Sequence, residues 1–196
     1  MNELNDDFWS SRYNSNLTGW DLGEVSRPLK EYIDQLVDKD ISILIPGCGN
    51  SYEAEYLLSK GFKKVTLIDI SKVLTDSLKE KFVKEIKANK CEVIHGDFFS
   101  LEGNFDLILE QTFFCALDPS LRESYARKMS QLLSKRGVLA GVLFGVQMPG
   151  GPPFGGSADE YLRYFEKYFE SKMSACYNSI KPREGKELFI QLKLKN

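Results

Sequence analysis

Two short segments of this 196-residue chain carry residue types that bind nucleoside-like ligands. Pro46-Gly47-Cys48-Gly49 follows an apolar run, and its glycines allow a tight turn and a close approach of the backbone to a ligand. Asp69 ends the next apolar run, about 20 residues after Gly47, where a carboxylate can accept hydrogen bonds from both ribose hydroxyls. Asp69 could instead be a charge at the start of a helix, next to Ser71.

Two further segments extend the pattern. Asp97-Phe98 pairs an acceptor for an exocyclic amine with an aromatic ring that can cover a purine. Glu110-Gln111 places another acid and an amide after a fourth apolar run. Each segment is a weak signal by itself, but parallel strands would bring all four to one crevice.

The glycine turn does not match the two best-known phosphate-binding loops. A dinucleotide-binding pattern would need a third glycine where Tyr52 stands, and the chain lacks the Gly-Lys-Ser/Thr ending of a Walker loop. Asn50-Ser51 replaces the third glycine, and we expect Asn50 to tolerate left-handed geometry.

The elements that position these segments alternate between strand-like and helix-like periodicity. Strands are predicted at 41–46, 64–70, 91–95, 105–110, 137–145, 172–180 and 187–194, and helices at 51–60, 71–88, 119–134 and 159–169. This order predicts an α/β fold with a doubly wound, mostly parallel seven-stranded sheet. We expect one domain over residues 1–196. The Gly/Pro-rich loop at 149–156 is either a connector or a wall of the substrate site.

The composition excludes several classes of protein. A net charge of −2 and a pI near 5.6 give no sign of a nucleic-acid-binding face. No apolar run is long enough to cross a bilayer, and the acidic start has no signal-peptide pattern. One histidine and four cysteines without a C-x-x-C pair argue against a metal site. We therefore expect a cytoplasmic protein with reduced thiols, no metal, and no nucleic-acid or membrane partner.

The ordered set of these segments resembles the class I S-adenosylmethionine-dependent methyltransferases. Within them it is similar to the thiopurine S-methyltransferase-like family, particularly its thiol and halide methyltransferase branch. The resemblance covers about residues 8–169 and rests on short motifs in sequence order: Phe8-Trp9-x-x-x-Tyr13, Thr18-Gly19-Trp20-Asp21-Leu22-Gly23, Pro46-Gly47-Cys48-Gly49, Asp69-Ile70-Ser71, Gly96-Asp97-Phe98-Phe99, Thr112-Phe113-Phe114-Cys115-Ala116 and Gly150-Gly151-Pro152-Pro153-Phe154.

The resemblance implies S-adenosyl-L-methionine as the cofactor and assigns residues to it. Residues 1–38 would form a helical cover over the cofactor, although the spacing of their aromatic residues alone indicates only core packing. Residue by residue, the implied cofactor-binding set is Trp9, Tyr13, Trp20, Gly47, Gly49, Asp69, Asp97, Phe98, Glu110, Gln111, Arg122 and Tyr125. Asp69 matches the acid on the ribose, Asp97 and Phe98 the pair around adenine, and Glu110 an acid near the methionine part.

The implied reaction is methyl transfer to a small, soft nucleophile such as a thiol, hydrosulfide, thiocyanate, halide or thiopurine sulfur. Such an anion has no proton to remove, which fits a chain with one histidine. We therefore expect in-line displacement and name no catalytic residue. His95 and Cys115 are expected to be structural. Phe113, Phe114 and Phe154 are expected to line an apolar acceptor pocket near the loop at 149–156.

Three alternatives remain open. A nicotinamide-dependent oxidoreductase would use the same fold, although the missing third glycine and Asp97-Phe98 argue against it. The methyl acceptor could be an oxygen or nitrogen of a small metabolite, because fold and cofactor loops do not determine the acceptor. The chain could also be a cofactor-binding module without turnover. We expect a small-molecule acceptor as partner, and a monomer or weak homodimer.

Overall fold

The computed structural model describes residues 4–195 and shows a seven-stranded sheet with helices on both faces. The strand order is β3-β2-β1-β4-β5-β7-β6. Neighbouring strands pair in parallel from β3 to β5, and β7 is antiparallel to both β5 and β6. The strands are β1 Ile43–Pro46, β2 Val65–Asp69, β3 Cys91–His95, β4 Phe105–Gln111, β5 Leu133–Phe144, β6 Phe169–Ala175 and β7 Glu187–Leu194. The predicted fold class is confirmed.

Eight α-helices connect or flank these strands within the described residues. They are α1 Asp6–Asn14, α2 Arg27–Asp34, α3 Tyr52–Ser59, α4 Lys72–Lys81, α5 Val83–Lys87, α6 Phe113–Ala116, α7 Arg122–Leu132 and α8 Ala158–Phe165. Three single turns of 3₁₀-helix lie at Phe98–Ser100, Pro119–Leu121 and Lys181–Arg183. Residues 1–3 of the predicted cover segment and residue 196 lie outside the described residues.

Local sequence explains most helix starts. Ser71 caps α4 as predicted, because its hydroxyl oxygen accepts from the backbone N–H of Leu74 at 3.3 Å. Asn5 and Ser157 cap α1 and α8 in the same way. α2 begins with Pro28 near its first position and buries Leu29 and Ile33, a pattern that the sequence analysis did not use.

Several predicted boundaries are wrong. β5 begins at Leu133 instead of residue 137, and α8 ends at Phe165 instead of residue 169. The helix expected over 71–88 breaks at Phe82, whose buried side chain packs in the core between α4 and α5. The helix expected to reach residue 134 ends at Leu132, because Leu133 already pairs with Phe105 as the first residue of β5. β6 occupies Phe169–Ala175 instead of 172–180, so the chain leaves the sheet earlier than the apolar pattern predicted.

The core has two layers, one on each face of the sheet. One cluster joins α2, α3 and α4 to β1 and β2 and contains Leu29, Leu57 and Leu67. The other joins α7 and α8 to β4 and β5 and contains Tyr125, Met129 and Phe165. Both faces are covered, as expected for a largely parallel sheet. None of the helices in residues 4–195 combines the length and apolar character needed to cross a membrane.

Candidate active site

A cavity of about 540 Å³ opens at the carboxyl edge of the sheet. From β1 the strands are added outward to β2 and β3 on one side, and then to β4 and β5 on the other side. The position between β1 and β4 is therefore a topological switch point, where open α/β sheets bind ligands. The turns after β1, β2, β3, β4 and β5 all contribute to the lining, together with the N-terminal segment. The convergence predicted from the sequence is therefore present in the fold.

Nine of the twelve residues assigned to the cofactor line this cavity. They are Trp9, Tyr13, Trp20, Gly47, Gly49, Asp69, Asp97, Phe98 and Gln111. The structure does not bring Glu110, Arg122 or Tyr125 into the lining. Glu110 lies on β4 next to the lining residue Gln111, and Arg122 and Tyr125 lie on α7, directly after the lining residue Leu121.

The glycine turn after β1 needs glycine at Gly47 for two reasons. Gly47 has a φ of +53°, and a Cβ atom there would lie 2.1 Å from Cδ2 of Phe113. The same turn continues with left-handed backbone at Gly49 and Ser51. Although asparagine tolerates the left-handed conformation, Asn50 does not adopt it. Ser51 takes it, and both its hydroxyl and its backbone N–H donate to the carbonyl of Cys48.

Asp69 lies at the end of β2 with its carboxylate turned into the cavity lining. One oxygen accepts from the backbone N–H of Ser71 at 2.9 Å, and the other accepts weakly from Gly49 at 3.4 Å. Burial raises the pKa of Asp69 to about 6, although these hydrogen bonds oppose the rise. The carboxylate keeps acceptor capacity for a ligand, since an ionised carboxylate offers about four lone-pair directions.

Asp97 and Phe98 follow β3. Asp97 accepts from the backbone N–H of Phe99 at 3.0 Å and from the hydroxyl of Ser100 at 3.4 Å, which fixes a single 3₁₀ turn. The ring of Phe98 packs 5.2 Å from that of Phe113 across the cavity floor. His95, just before this turn, lies outside the cavity lining, with Nε2 3.1 Å from the carbonyl oxygen of Ile70.

The aromatic residues of the N-terminal segment form one cluster over the cavity. The ring of Trp20 contacts Trp9 and Tyr13 edge-on, with centroid distances of 5.5 and 6.0 Å. Asp21 joins this segment to the glycine turn by accepting from the side chains of Asn50 and Tyr52. The N-terminal segment therefore packs on the cavity through Trp9, Tyr13 and Trp20, the aromatic residues of the motifs given above.

Glu110 is fully buried behind the cavity wall. It accepts from the backbone N–H groups of Phe113 and Phe114 and from the hydroxyl of Tyr125. Burial raises the pKa of Glu110 to about 7. Its carboxyl group therefore holds the turn into α6, in which Thr112 has a φ of +58°, and that turn carries Phe113 to the lining.

Arg122 is also buried and fastens the Gly/Pro-rich loop. Its guanidinium pairs with Glu160 and donates to the carbonyls of Phe154 and Gly155, the latter at 2.9 Å. Pro152 and Pro153 of the same loop line the cavity. Both terminal nitrogens of the guanidinium thus have internal partners, whereas its buried Nε has no hydrogen-bond partner among the described residues.

One side of the cavity is apolar. This apolar side is formed near the ends of β4 and β5 by Phe113, Ala116, Leu117, Leu121, Phe144, Pro152 and Pro153. Phe113 lines the cavity as expected, whereas Phe114 and Phe154 do not line it. Phe114 has no exposed surface and packs on Tyr125 and Tyr161, because α6 turns it into the core.

The charged residues in the lining are all acidic. Among the described lining residues they are Asp21, Glu24, Glu53, Asp69, Asp97 and Asp118, with no lysine, arginine or histidine. Asp118 adjoins the apolar side, and the hydroxyl and N–H of Ser120 hold the pKa of its carboxyl below the usual range. Sequence reasoning did not select Asp21 or Asp118 as site residues, although the Asp-x-Gly and Asp-Pro turns containing them were visible signals.

Comparisons with known proteins agree with this architecture. Residues 4–192 match the model of the thiopurine S-methyltransferase family. The probable thiol methyltransferase 2 of Arabidopsis thaliana is 30% identical over 192 residues, which cover 95% of this chain and 84% of the relative. Thiocyanate methyltransferase 1 of Brassica oleracea is 28% identical over 91% of this chain and 81% of its own.

A solved structure gives the same fold. It is a 1,6-didemethyltoxoflavin-N1-methyltransferase of Burkholderia thailandensis, crystallised with 1,6-didemethyltoxoflavin and S-adenosylhomocysteine. The TM-score is 0.74 at 16% sequence identity, over 97% of this chain and 87% of the other. At this identity the likeness describes the fold only.

Proposed function

The chain belongs to the thiopurine S-methyltransferase family and is an S-adenosylmethionine-dependent methyltransferase, and we propose that it methylates a small, soft nucleophile by in-line displacement. The proposed acceptors are a thiol, hydrosulfide, thiocyanate, halide or thiopurine sulfur. The names of the plant relatives, a thiol and a thiocyanate methyltransferase, support this class.

One observation carries the proposal: the apolar side of the cavity lacks a group suited to act as a general base. Its described lining contains no histidine, and the adjoining carboxylate of Asp118 is a weak base because its pKa is lowered. An alcohol or amine acceptor would need a base to remove its proton, whereas an ionised sulfur or halide would not. The apolar side chains would exclude water from such an anion and leave it more reactive.

The residues present fit the cofactor. S-adenosylmethionine would supply a methyl group already activated by the positive charge of its sulfur. We propose that Asp69 accepts from the ribose hydroxyls, since its buried carboxylate is held by backbone N–H groups and keeps free lone pairs. Asp97 and Phe98 would hold the adenine, and Gly47 and Gly49 would let the backbone approach the methionine part. The acidic lining favours a cofactor with net positive charge.

Two segments would complete the site. We propose that residues 4–38 of the predicted cover close over the cofactor through Trp9, Tyr13 and Trp20. We propose that the loop at 149–156 forms the acceptor wall, because Arg122 ties its carbonyls to α7 and Pro152 and Pro153 face the cavity. The resemblance assigns Glu110, Arg122 and Tyr125 to direct cofactor contact, which remains untested. Because none of the three lines the cavity, we propose that they support its wall.

The proposal extends to the cellular location of the protein and to its partner. All four cysteines are free and buried, as expected for a reducing compartment, which supports a cytoplasmic location. A small-molecule acceptor is the partner that a cavity of this size accommodates.

The test combines binding and turnover. Calorimetric titration with S-adenosylhomocysteine measures cofactor binding, and product formation is then followed with sulfide, thiocyanate, iodide and a thiopurine. Catechol and a primary amine are the matched acceptors that need a base. We expect binding and turnover of at least one soft nucleophile, with no turnover of catechol or the amine. Binding with turnover only of catechol or the amine would refute the base-free mechanism, and no binding would refute the cofactor assignment.

A further inference from the structure

A buried arginine near the C-terminus reaches the N-terminal segment. Arg183 lies in the 3₁₀ turn Lys181–Arg183 between β6 and β7, and only 9% of it is exposed. Its Nη1 donates to Oε1 of Glu187 at 3.2 Å, and its Nη2 donates to the carbonyl of Trp20 at 2.6 Å. The sequence analysis did not single out Arg183, because nothing local links it to a residue 163 positions earlier.

Arg183 contacts two residues that line the cavity, Trp20 and Phe144. Trp20 lines it and carries the edge-on contacts to Trp9 and Tyr13. The guanidinium carbon of Arg183 also lies 5.2 Å from the ring centroid of Phe144, a residue of the apolar side. One side chain therefore contacts the aromatic cluster of the N-terminal segment and the wall at the end of β5.

The other polar anchors of the N-terminal segment reach different elements. Asp21 binds the turn after β1, and Asp6 accepts from the backbone N–H of Lys72 at the start of α4. These anchors hold the segment at the strands that would carry the cofactor. On the β5–β7 side, Arg183 holds Trp20, and the hydroxyl of Tyr177 donates to the carboxylate of Glu31 in α2.

The Arg183–Glu187 ion pair is suited to fixing the position of Trp20 and Phe144. Glu187 is 5% exposed and lies opposite Phe144 in the β5–β7 pairing, so the carboxylate fixes the guanidinium next to that ring. A buried ion pair is a poor source of stability, because desolvation offsets the attraction between the charges. The rigid planar guanidinium can instead direct separate N–H groups to two acceptors at once.

We propose that Arg183 is a positioning residue that fixes Trp20 over the apolar side and so sets how the N-terminal segment closes on the methyl acceptor. The proposal for Arg183 rests on the proposed function, from which it takes the class of methyl acceptor. The hydrogen bond between Arg183 and Trp20 is part of the fold and does not depend on which acceptor is methylated.

The chain contains a built-in reporter for this proposal. Its two tryptophans, Trp9 and Trp20, both lie in the N-terminal segment, so their fluorescence quenching by acrylamide measures the exposure of that segment. Arg183→Met alone would leave Glu187 buried without its partner and could unfold the protein. The informative variant is therefore Arg183→Met combined with Glu187→Met, which removes both charges. Lys186→Met is the matched control on the same loop, where the ammonium group of Lys186 donates to the carbonyl of Pro182.

The double variant is expected to show a higher acrylamide quenching constant than the wild type, with and without S-adenosylhomocysteine. With the soft nucleophile that the wild type methylates, its acceptor KM should rise about tenfold, the scale of losing one hydrogen bond from a charged group. Lys186→Met should match the wild type in both measurements. Circular dichroism checks that each variant is folded.

The alternatives give distinct results. A folded double variant with wild-type quenching and wild-type acceptor KM would overturn the proposal. If the double variant does not fold, Arg183→Lys keeps the charge but cannot hold both acceptors, and it must show raised quenching for the proposal to stand. If the wild type neither binds S-adenosylhomocysteine nor turns over, the proposed function fails, whereas the quenching of the ligand-free proteins still decides the role of Arg183.

Discussion

Replacing Glu110 by glutamine tests the electrostatics of the wall behind the cavity. The Glu110 carboxyl is fully buried, and its partners are the N–H groups of Phe113 and Phe114 and the hydroxyl of Tyr125. Glutamine keeps one oxygen for the N–H groups and cannot ionise. Glu110→Gln therefore imitates the protonated form of the wild-type side chain.

The structure gives the size and the sign of the effect. Burial raises the pKa of Glu110 from 4.5 to about 7. At about 1.4 kcal/mol per pH unit, this corresponds to about 3 kcal/mol of unfolding free energy. Between pH 4.5 and 7 the folded protein keeps this proton while the unfolded chain has released it. The stabilising contribution is thus fully present below pH 4.5 and is lost as the pH rises through about 7.

Urea unfolding followed by circular dichroism, at several pH values between 4.5 and 8, measures this contribution. The free energy of unfolding of Glu110→Gln minus that of the wild type should increase by about 3 kcal/mol across this range. Asp69, whose pKa is also raised, contributes equally to both proteins and cancels in the difference. Glu170→Gln at an exposed position of β6 serves as the matched control.

A difference between Glu110→Gln and the wild type that stays constant over this pH range would refute the reasoning. It would mean that the Glu110 carboxyl ionises alike in the folded and unfolded chains. A difference that moves in the opposite direction would mean that the three donors outweigh burial, so that the folded state prefers the charged form.

Two further substitutions address the lining itself. Asp69→Asn should weaken binding of S-adenosylhomocysteine by about 1–3 kcal/mol in calorimetry at pH 8. The affinity of the wild type should itself fall below pH 6, because the Asp69 carboxyl becomes protonated there. A wild-type affinity that does not change with pH would contradict this prediction. Gly47→Ala should lower the unfolding free energy by about 2–4 kcal/mol, because its Cβ would overlap the Phe113 ring and its φ is positive. Gly61→Ala, with positive φ but open space, is the control and should cost about 1 kcal/mol in the same unfolding assay; equal losses would mean that the overlap relaxes freely.

The residues at strand ends were predictable because their placement depends on local pattern alone. Once β2 ends at Asp69 and β3 at His95, a parallel sheet puts Asp69 and Asp97 at the same edge. The glycine turn after β1 follows from the same rule. The alternation of strand and helix patterns was enough to predict the parallel part of the sheet, and the antiparallel β7 comes where no α-helix separates the last two strands.

The surroundings of some residues could not be predicted, because they come from distant parts of the chain. Arg122 begins α7, but its guanidinium is directed by Glu160 and by the carbonyls of residues 154 and 155. Periodicity places Arg122 on a helix without telling which distant acceptors will bind it. The left-handed Ser51 was missed for a related reason, since propensity favours asparagine there while the contacts to Cys48 decide the conformation.

The two buried arginines explain why the cavity can be acidic in its charged lining and yet apolar at one side. Arg122 and Arg183 both lie close to the apolar side, and each is paired with a glutamate, Glu160 or Glu187. Each also donates to backbone carbonyls of a wall segment, so its charge is used to hold that segment. A cation exposed to the cavity would bind an acceptor anion strongly and lower its nucleophilicity by stabilising the ground state. Because both arginines are paired with glutamates and lie behind the wall, the cofactor would supply the only positive charge that the acceptor meets in the described lining.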